Sequence, residues 1–265
     1  MTTVSAIHHS PEVRDPLAAR HALASQLGDT TRAHERLLPV HPVLAPLFGL
    51  ARDEPSPLAL TRGHTMACVG SAAMSSALAM LTAPTQAGSW AGVVGLPSFG
   101  VQAAADLGVV LERTVFVADP TTTSHQEKRS DVAAVLSALV DGVDVVLLAQ
   151  RLVNSLPAQL LRRLQTRVQS RGAILVVVGE PSSLSVDVRL RATTEQWQGV
   201  GIGHGHLQRR QVLLQLDGRR RARTTEQRAW LPDYEGRLSA IETTTKTGSD
   251  AGSKSGTVIP LRRAG

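Results

Sequence analysis

The chain has 265 residues, 42% of them hydrophobic, enough for one substantial core or one domain with extensions. No segment is long and apolar enough to span a bilayer, and the polar start (Met1–Ser10) lacks the basic region and apolar run of a secretory signal, so a cytoplasmic location is expected. A single cysteine, Cys68, excludes an internal disulfide or a cysteine zinc cluster, and the net charge of +6 is concentrated: residues 207–228 carry +5, seven arginines against Asp217 and Glu226.

Residues 1–37 are polar with scattered apolar positions (Val13, Leu17, Ala18, Leu23, Leu27) at plausible helical spacing. Residues 38–63 are proline-rich (Pro39, Pro42, Pro46, Pro55, Pro57) and read as a connection with about one turn of helix. We assign residues 1–57 to an N-terminal extension, 58–238 to a core domain, and 239–265, rich in Thr, Ser, Gly and Lys, to a disordered tail.

The core opens on a predicted strand, Thr65–Val69, followed by Gly70-Ser71-Ala72-Ala73-Met74-Ser75-Ser76-Ala77 and a helix from Ser71 to Leu81. A phosphate-binding loop, G-x-x-x-x-G-K-[ST], sits between a strand and a helix in this way. Its backbone N–H groups cradle phosphate, its Lys reaches the β/γ-phosphates, and its hydroxyl holds Mg²⁺. Here Gly70 keeps the first position, while Ser75, Ser76 and Ala77 stand where the second Gly, the Lys and the metal-binding hydroxyl belong. The loop reads as degenerate.

Strand and helix patterns then alternate. Trp90–Gly95 is a predicted strand, Val101–Leu107 a helix stopped by Gly108, and Thr114–Ala118 a strand. Ser130 or Asp131 can cap a helix with Val132, Val135, Leu136, Leu139 and Val140 on one face and Gly142 past its end. Val143–Ala149 is a continuous apolar run interrupted only by Asp144, as a strand covered on both faces should be. Pro157 opens a helix with Leu160, Leu161, Leu164 and Val168 on one stripe, closed by Gly172, and Ala173–Val178 follows as a strand. Val186–Leu190 and Val212–Leu216 are later strands, the second ending at the turn Asp217-Gly218. This alternation predicts an α/β fold: a mostly parallel sheet, helices on both faces, and late antiparallel strands.

From about residue 60 to 217, the order and local pattern of these elements resemble the RecA-type recombinase core. Ala91-Gly92-Val93-Val94-Gly95-Leu96 is similar to the strand that ends in RecA's catalytic glutamate, and it places Leu96 at that acid. Ala103–Val109 and Thr114–Pro120 resemble the helix and strand that follow. Val143–Gln150 resembles the Walker B strand, with Ala149 at the Mg²⁺-organising Asp, and Gly179-Glu180 fills the γ-phosphate-sensing pair. Phosphoryl transfer depends on the Lys, the metal and the positioned base, so the resemblance implies a RecA-like P-loop core without ATPase activity and without a cofactor.

Leu38-Pro39-Val40-His41-Pro42, Val94–Ser98, Gly203–Leu207 and Trp230-Leu231-Pro232-Asp233 resemble phrases of the actinobacterial ImuA′-like mutasome accessory proteins, which are degenerate RecA homologues. That resemblance implies non-enzymatic scaffold work in damage-induced translesion synthesis. Its partners would be an inactive Y-family polymerase homologue and, through it, a translesion polymerase. DNA or RecA is a further candidate partner, self-association as in RecA is left open, and the expected location is cytoplasmic and nucleoid-associated. The alternative is a nucleotide-binding, non-hydrolysing RecA paralogue that modulates recombinase filaments.

The candidate nucleic-acid or partner surface is the basic segment: Arg209, Arg210, Arg219, Arg220, Arg221 and Arg223. Strand spacing puts Val212, Leu214 and Leu216 on one face and the two arginine groups at opposite ends of a hairpin. The same charge suits an acidic protein partner. With seven aromatics in the chain, stacking platforms are not expected, and any DNA contact should be to the backbone and salt-sensitive. His204 and His206 flank Gly205, but no motif supplies further metal ligands. No G-x-S-x-G elbow accompanies Ser71, Ser75, Ser76 or Ser98, and the Gly199–Gly203 run lacks the helix of a dinucleotide fingerprint.

Overall fold

The computed structural model describes residues 37–53, 57–120, 128–200, 204–219 and 223–241. The expected N-terminal helix up to residue 36, Gly201–Gly203, Arg220, Arg221 and residues 242–265 of the tail lie outside them.

Strand β1 (Leu37–Pro39) pairs antiparallel with β2 (Leu58–Thr61), and a 3-10 helix, Pro42–Phe48, lies between them. Proline in the first turn fixes φ for such a helix and gives up an N–H that has no partner there anyway. His41 caps it, its Nδ1 accepting from the Val43 N–H at 3.3 Å, and Gly49 closes it in the left-handed region. Leu38, Val40, Leu44 and Leu47 are buried, so the packed core reaches upstream of Leu58.

The main sheet is built from β3 (Thr65–Val69), α1 (Ala73–Gln86), β4 (Ala91–Val94), α2 (Val101–Asp106), β5 (Thr114–Val117), α3 (Lys128–Gly142), β6 (Val145–Ala149), α4 (Gln150–Asn154), α5 (Ala158–Arg171) and β7 (Ile174–Val178). It continues with β8 (Val188–Val200), β9 (Gly205–Gly218), β10 (Thr225–Trp230) and β11 (Ser239–Ala240). Its nine strands run in the order β5-β4-β6-β7-β3-β8-β9-β10-β11. The first six of that order are mutually parallel, and β9, β10 and β11 add antiparallel.

The apolar runs of β3, β4 and β6 are buried at every position because the sheet is covered on both sides. Met66, Cys68, Val93, Leu147 and Val176 pack with α1, α2 and the 3-10 helix. Val94, Val146, Leu148, Leu175 and Val177 pack with α3, α4 and α5. Each fully buried Leu or Val contributes about 1.5–3 kcal/mol, so these two layers dominate the stability of the fold.

Some boundaries differ from the sequence expectation. Helix α1 continues to Gln86 through Pro84, because its apolar face stays buried beyond Leu81. Helix α3 starts at Lys128 and includes Gly142 as its last residue. The largest difference is in β8 and β9, which have 13 and 14 residues where the apolar pattern marked five each. Only their inner halves cover the core (Leu190, Ala192, Val212, Leu214 and Leu216), while their outer halves are polar or exposed and carry no strand-like hydrophobic alternation. Polar β10 (TEQRAW) escaped notice for the same reason.

Candidate functional site

The positions singled out by sequence gather at one edge: Ala149 ends β6, and Gly70, Leu96 and Gly179-Glu180 follow the carboxyl ends of β3, β4 and β7. This is the edge at which open α/β sheets take their ligands. The connection from β3 to α1 is three residues long, Gly70–Ala72, so Ser75, Ser76 and Ala77 lie within the helix. Gly70 adopts φ +97°, and a Cβ there would stand 2.4 Å from the Ala192 carbonyl oxygen of β8. The Ala72 N–H donates to that same oxygen (2.9 Å), the Ala73 N–H donates to the Gly70 carbonyl (3.2 Å), and Ser71 Oγ accepts from the Thr194 N–H (2.8 Å). Donors that would have to wrap a phosphate are thus bonded to the protein's own chain.

The neighbouring strand ends are filled as well. Leu152 of α4 lies against Gly95, where an added Cβ would come within 2.5 Å of its Cδ1. Gln150 lies against Gly179 in the same way, its Oε1 being 2.2 Å from where a Cβ would stand. Ala149 is buried, and Leu96 packs on the core. Glu180 accepts from Arg189 Nη2 at 2.6 Å. Ser76 and Ala77 are buried, and Ser76 Oγ donates to the Ala73 carbonyl. Cys68, two residues before Gly70, is fully buried, and burial pushes its thiol up to about 12.

The basic segment divides along β9. Arg219 and Arg223 stand at one end, where the Arg219 N–H donates to the Asp187 carbonyl. Arg209 and Arg210 lie within β9, as its fifth and sixth residues, nine to ten residues and roughly 34 Å of strand from Arg219. Arg210 turns inward and is 8% exposed. Its Nε donates to the Leu231 carbonyl (2.7 Å) and its Nη2 to Ser75 Oγ (2.6 Å), and burial pulls its pKa below the usual guanidinium value. Arg209 is half-buried against aromatic rings: its guanidinium carbon is 3.9 Å from the Trp230 centroid and 4.3 Å from that of Tyr234, and its Nε donates to Gln198 Oε1 (2.7 Å). The Trp197 ring lies 5.1 Å from the Arg210 guanidinium carbon. His204 and His206 are exposed, and among the described residues no three His, Cys, Asp or Glu side chains gather as a metal site would.

The sequence reading did not single out Trp230 and Tyr234, which hold Arg209, or Trp197, which lies beside Arg210 on the opposite face of the sheet. The available signal was position: three of the seven aromatics, Trp197, Trp230 and Tyr234, fall between residues 197 and 234.

The fold and its edge define an α/β protein with a mostly parallel sheet, six parallel strands extended by the three antiparallel strands β9, β10 and β11. Residues 55–183 match the family described as "MT3502 N-terminal domain". Over 130 residues the chain is 32% identical to "Uncharacterized protein Rv3395c" of Mycobacterium tuberculosis (strain ATCC 25618 / H37Rv), covering 49% of this chain and 52% of that protein. The chain therefore spans about half the length of the curated relative it matches. The family match covers β2 through β7 with the carboxyl edge and stops before β8. No described helix is long and apolar enough to cross a membrane.

Proposed function

We propose that this chain is a non-catalytic accessory protein on a RecA-like core, an assembly factor in damage-induced translesion DNA synthesis that works by binding partners. The observation that carries the reading is the carboxyl edge. Gly70–Ala72 is bonded to β8, Leu152 and Gln150 cover the ends of β4 and β7, and Leu96 and Ala149 offer no carboxylate. Phosphoryl transfer without a Lys, a metal-organising acid and a positioned base has no route to charge stabilisation. Further support comes from the order of elements and from the mycobacterial source of the relative, which agrees with an actinobacterial, ImuA′-like protein. A cytoplasmic, nucleoid-associated location and contact with DNA or RecA belong to the same proposal.

The test is capture of the proposed partner, an inactive Y-family polymerase homologue, using the full chain and a version lacking residues 239–265. Retention by the full chain is expected. Failure to capture it, together with steady ATP turnover, would overturn the proposal.

A further inference from the structure

On the face of the sheet opposite α1, helices α3 and α5 lie side by side and run in the same direction. Ala133 adjoins Leu160 near their starts, and Asp141 meets Arg167 and Arg171 near their ends. The side chains that α3 turns to this seam are small, Ala133, Ala134 and Ser137, so the two helices leave a groove of about 240 Å³ between them. Its floor is apolar: Leu156 and Leu164 are buried, and Leu160 is half-buried. Arg163 and Arg167 are exposed and form its rim, with Ala134, also exposed, on the other side. An apolar channel along a helix pair is the shape that accepts one further helix, and α5, with 14 residues, offers roughly 21 Å of length for it.

The charge beside the groove is one-sided. Helix α5 carries Arg162, Arg163, Arg167 and Arg171 and no acid. Asp141 of α3 is shared between two of them: Arg167 donates to both of its oxygens, and Arg171 Nε donates to Oδ1 at 3.0 Å. Among the described residues, Arg162 and Arg163 pair with no acid. A complementary occupant therefore brings carboxylates beside apolar side chains. The two ends of the chain do not have that character. Residues 1–36 balance four acids with four arginines, and residues 242–265 carry four basic residues against two acids. A phosphate backbone would meet the arginines but leave the leucine floor unused.

We propose that the α3–α5 groove docks an acidic amphipathic helix of a protein partner. Apolar side chains one turn apart on that helix fill the groove between Ala134 and Leu160, and its flanking carboxylates meet Arg163 and Arg167. The class of partner rests on the accessory-protein reading, and the groove gives that reading a surface. Docking there uses neither the carboxyl edge nor the arginines of β9.

The test is fluorescence anisotropy of the full chain with a labelled designed helix carrying Leu on one face and Glu on its flanks. A counterpart with Lys in place of every Glu serves as the control. The acidic helix should bind more tightly than the basic one, and less tightly as salt rises. Arg163→Glu should weaken it about tenfold, and Ala134→Gln, which fills the groove without changing charge, about fivefold. Arg163→Lys should retain most of the affinity, and Arg219→Ala with Arg223→Ala all of it. Arg163 and Ala134 are both exposed, so these variants should stay folded, which circular dichroism checks. Equal binding of the two helices, unchanged affinity in Arg163→Glu and Ala134→Gln, or no binding would each overturn the inference. Duplex DNA that competes with the acidic helix and is lost in the same variants would overturn it too, since the groove would then be a nucleic-acid surface. Capture of the polymerase homologue separates the two readings. Capture without binding of the acidic helix removes the groove and leaves the accessory-protein reading standing. Groove-dependent binding without capture keeps the groove and removes that partner.

Discussion

The carboxyl edge of the parallel strands and the outer end of the β8–β9 hairpin meet at β8, and they treat their polar groups in opposite ways. At the edge, backbone donors and serine hydroxyls are bonded within the chain, and side chains from α4 cover the strand ends. On the hairpin, Trp197 and Tyr234 stay partly in solvent, and Arg209 is held between groups that orient it, the Trp230 and Tyr234 rings and Gln198. Arg210 joins the two regions, since it leaves the hairpin to bond Ser75 of α1 and the Leu231 carbonyl. A strand-to-helix glycine can persist for packing alone. Gly70 is needed because the backbone of β8 passes where a side chain would stand.

The comparison can be broken most severely at Gly70. Gly70→Ala combines a left-handed φ with a clash against the Ala192 carbonyl, and should cost about 3 kcal/mol in denaturant unfolding. A cost near zero would mean that the edge is open and adaptable. Arg210→Met keeps much of the side-chain volume but leaves the Leu231 carbonyl and Ser75 without their donor; the expected loss is about 2 kcal/mol, part of it recovered by Arg210→Lys. A neutral Arg210→Met would return this arginine to the candidate ligand-binding set.

Cys68 reports on the edge without altering it. An ordinary thiol gains thiolate, and therefore reactivity, as pH rises from 7 to 9. Burial holds Cys68 at about 12, so its labelling by a disulfide reagent should stay slow across that range and accelerate only on unfolding or in Gly70→Ala. Fast labelling of the native chain at pH 8 would contradict a closed edge. The smallest effect is expected at Glu180, whose carboxylate is half-exposed in its pair with Arg189: Glu180→Gln should shift stability by about 0.5 kcal/mol or less. It should also confer no nucleotide binding, since removing one repulsive charge does not reopen the loop.

Much of the parallel half was legible because burial on both faces writes itself into the sequence. Val145–Ala149 and Ile174–Val178 are apolar throughout, and Gly108 and Gly172 mark helix ends by their left-handed backbone. The outer hairpin was not legible, because strands that leave the core keep no alternation; Arg191–Val200 looks like a polar loop in one dimension. The edge could be read for which groups are missing, but its closure depends on contacts such as Thr194 to Ser71, 123 residues apart, which no local pattern encodes. Arg210 was misleading for a related reason. An arginine in a basic run looks like its neighbours until the fold turns it inward.

The central claim is that this edge is closed to nucleotide, and the most direct measurement is calorimetric titration of the full chain with Mg·ATP. The account predicts no saturable heat up to millimolar nucleotide. A saturable isotherm with micromolar affinity would contradict it and favour a nucleotide-binding RecA paralogue.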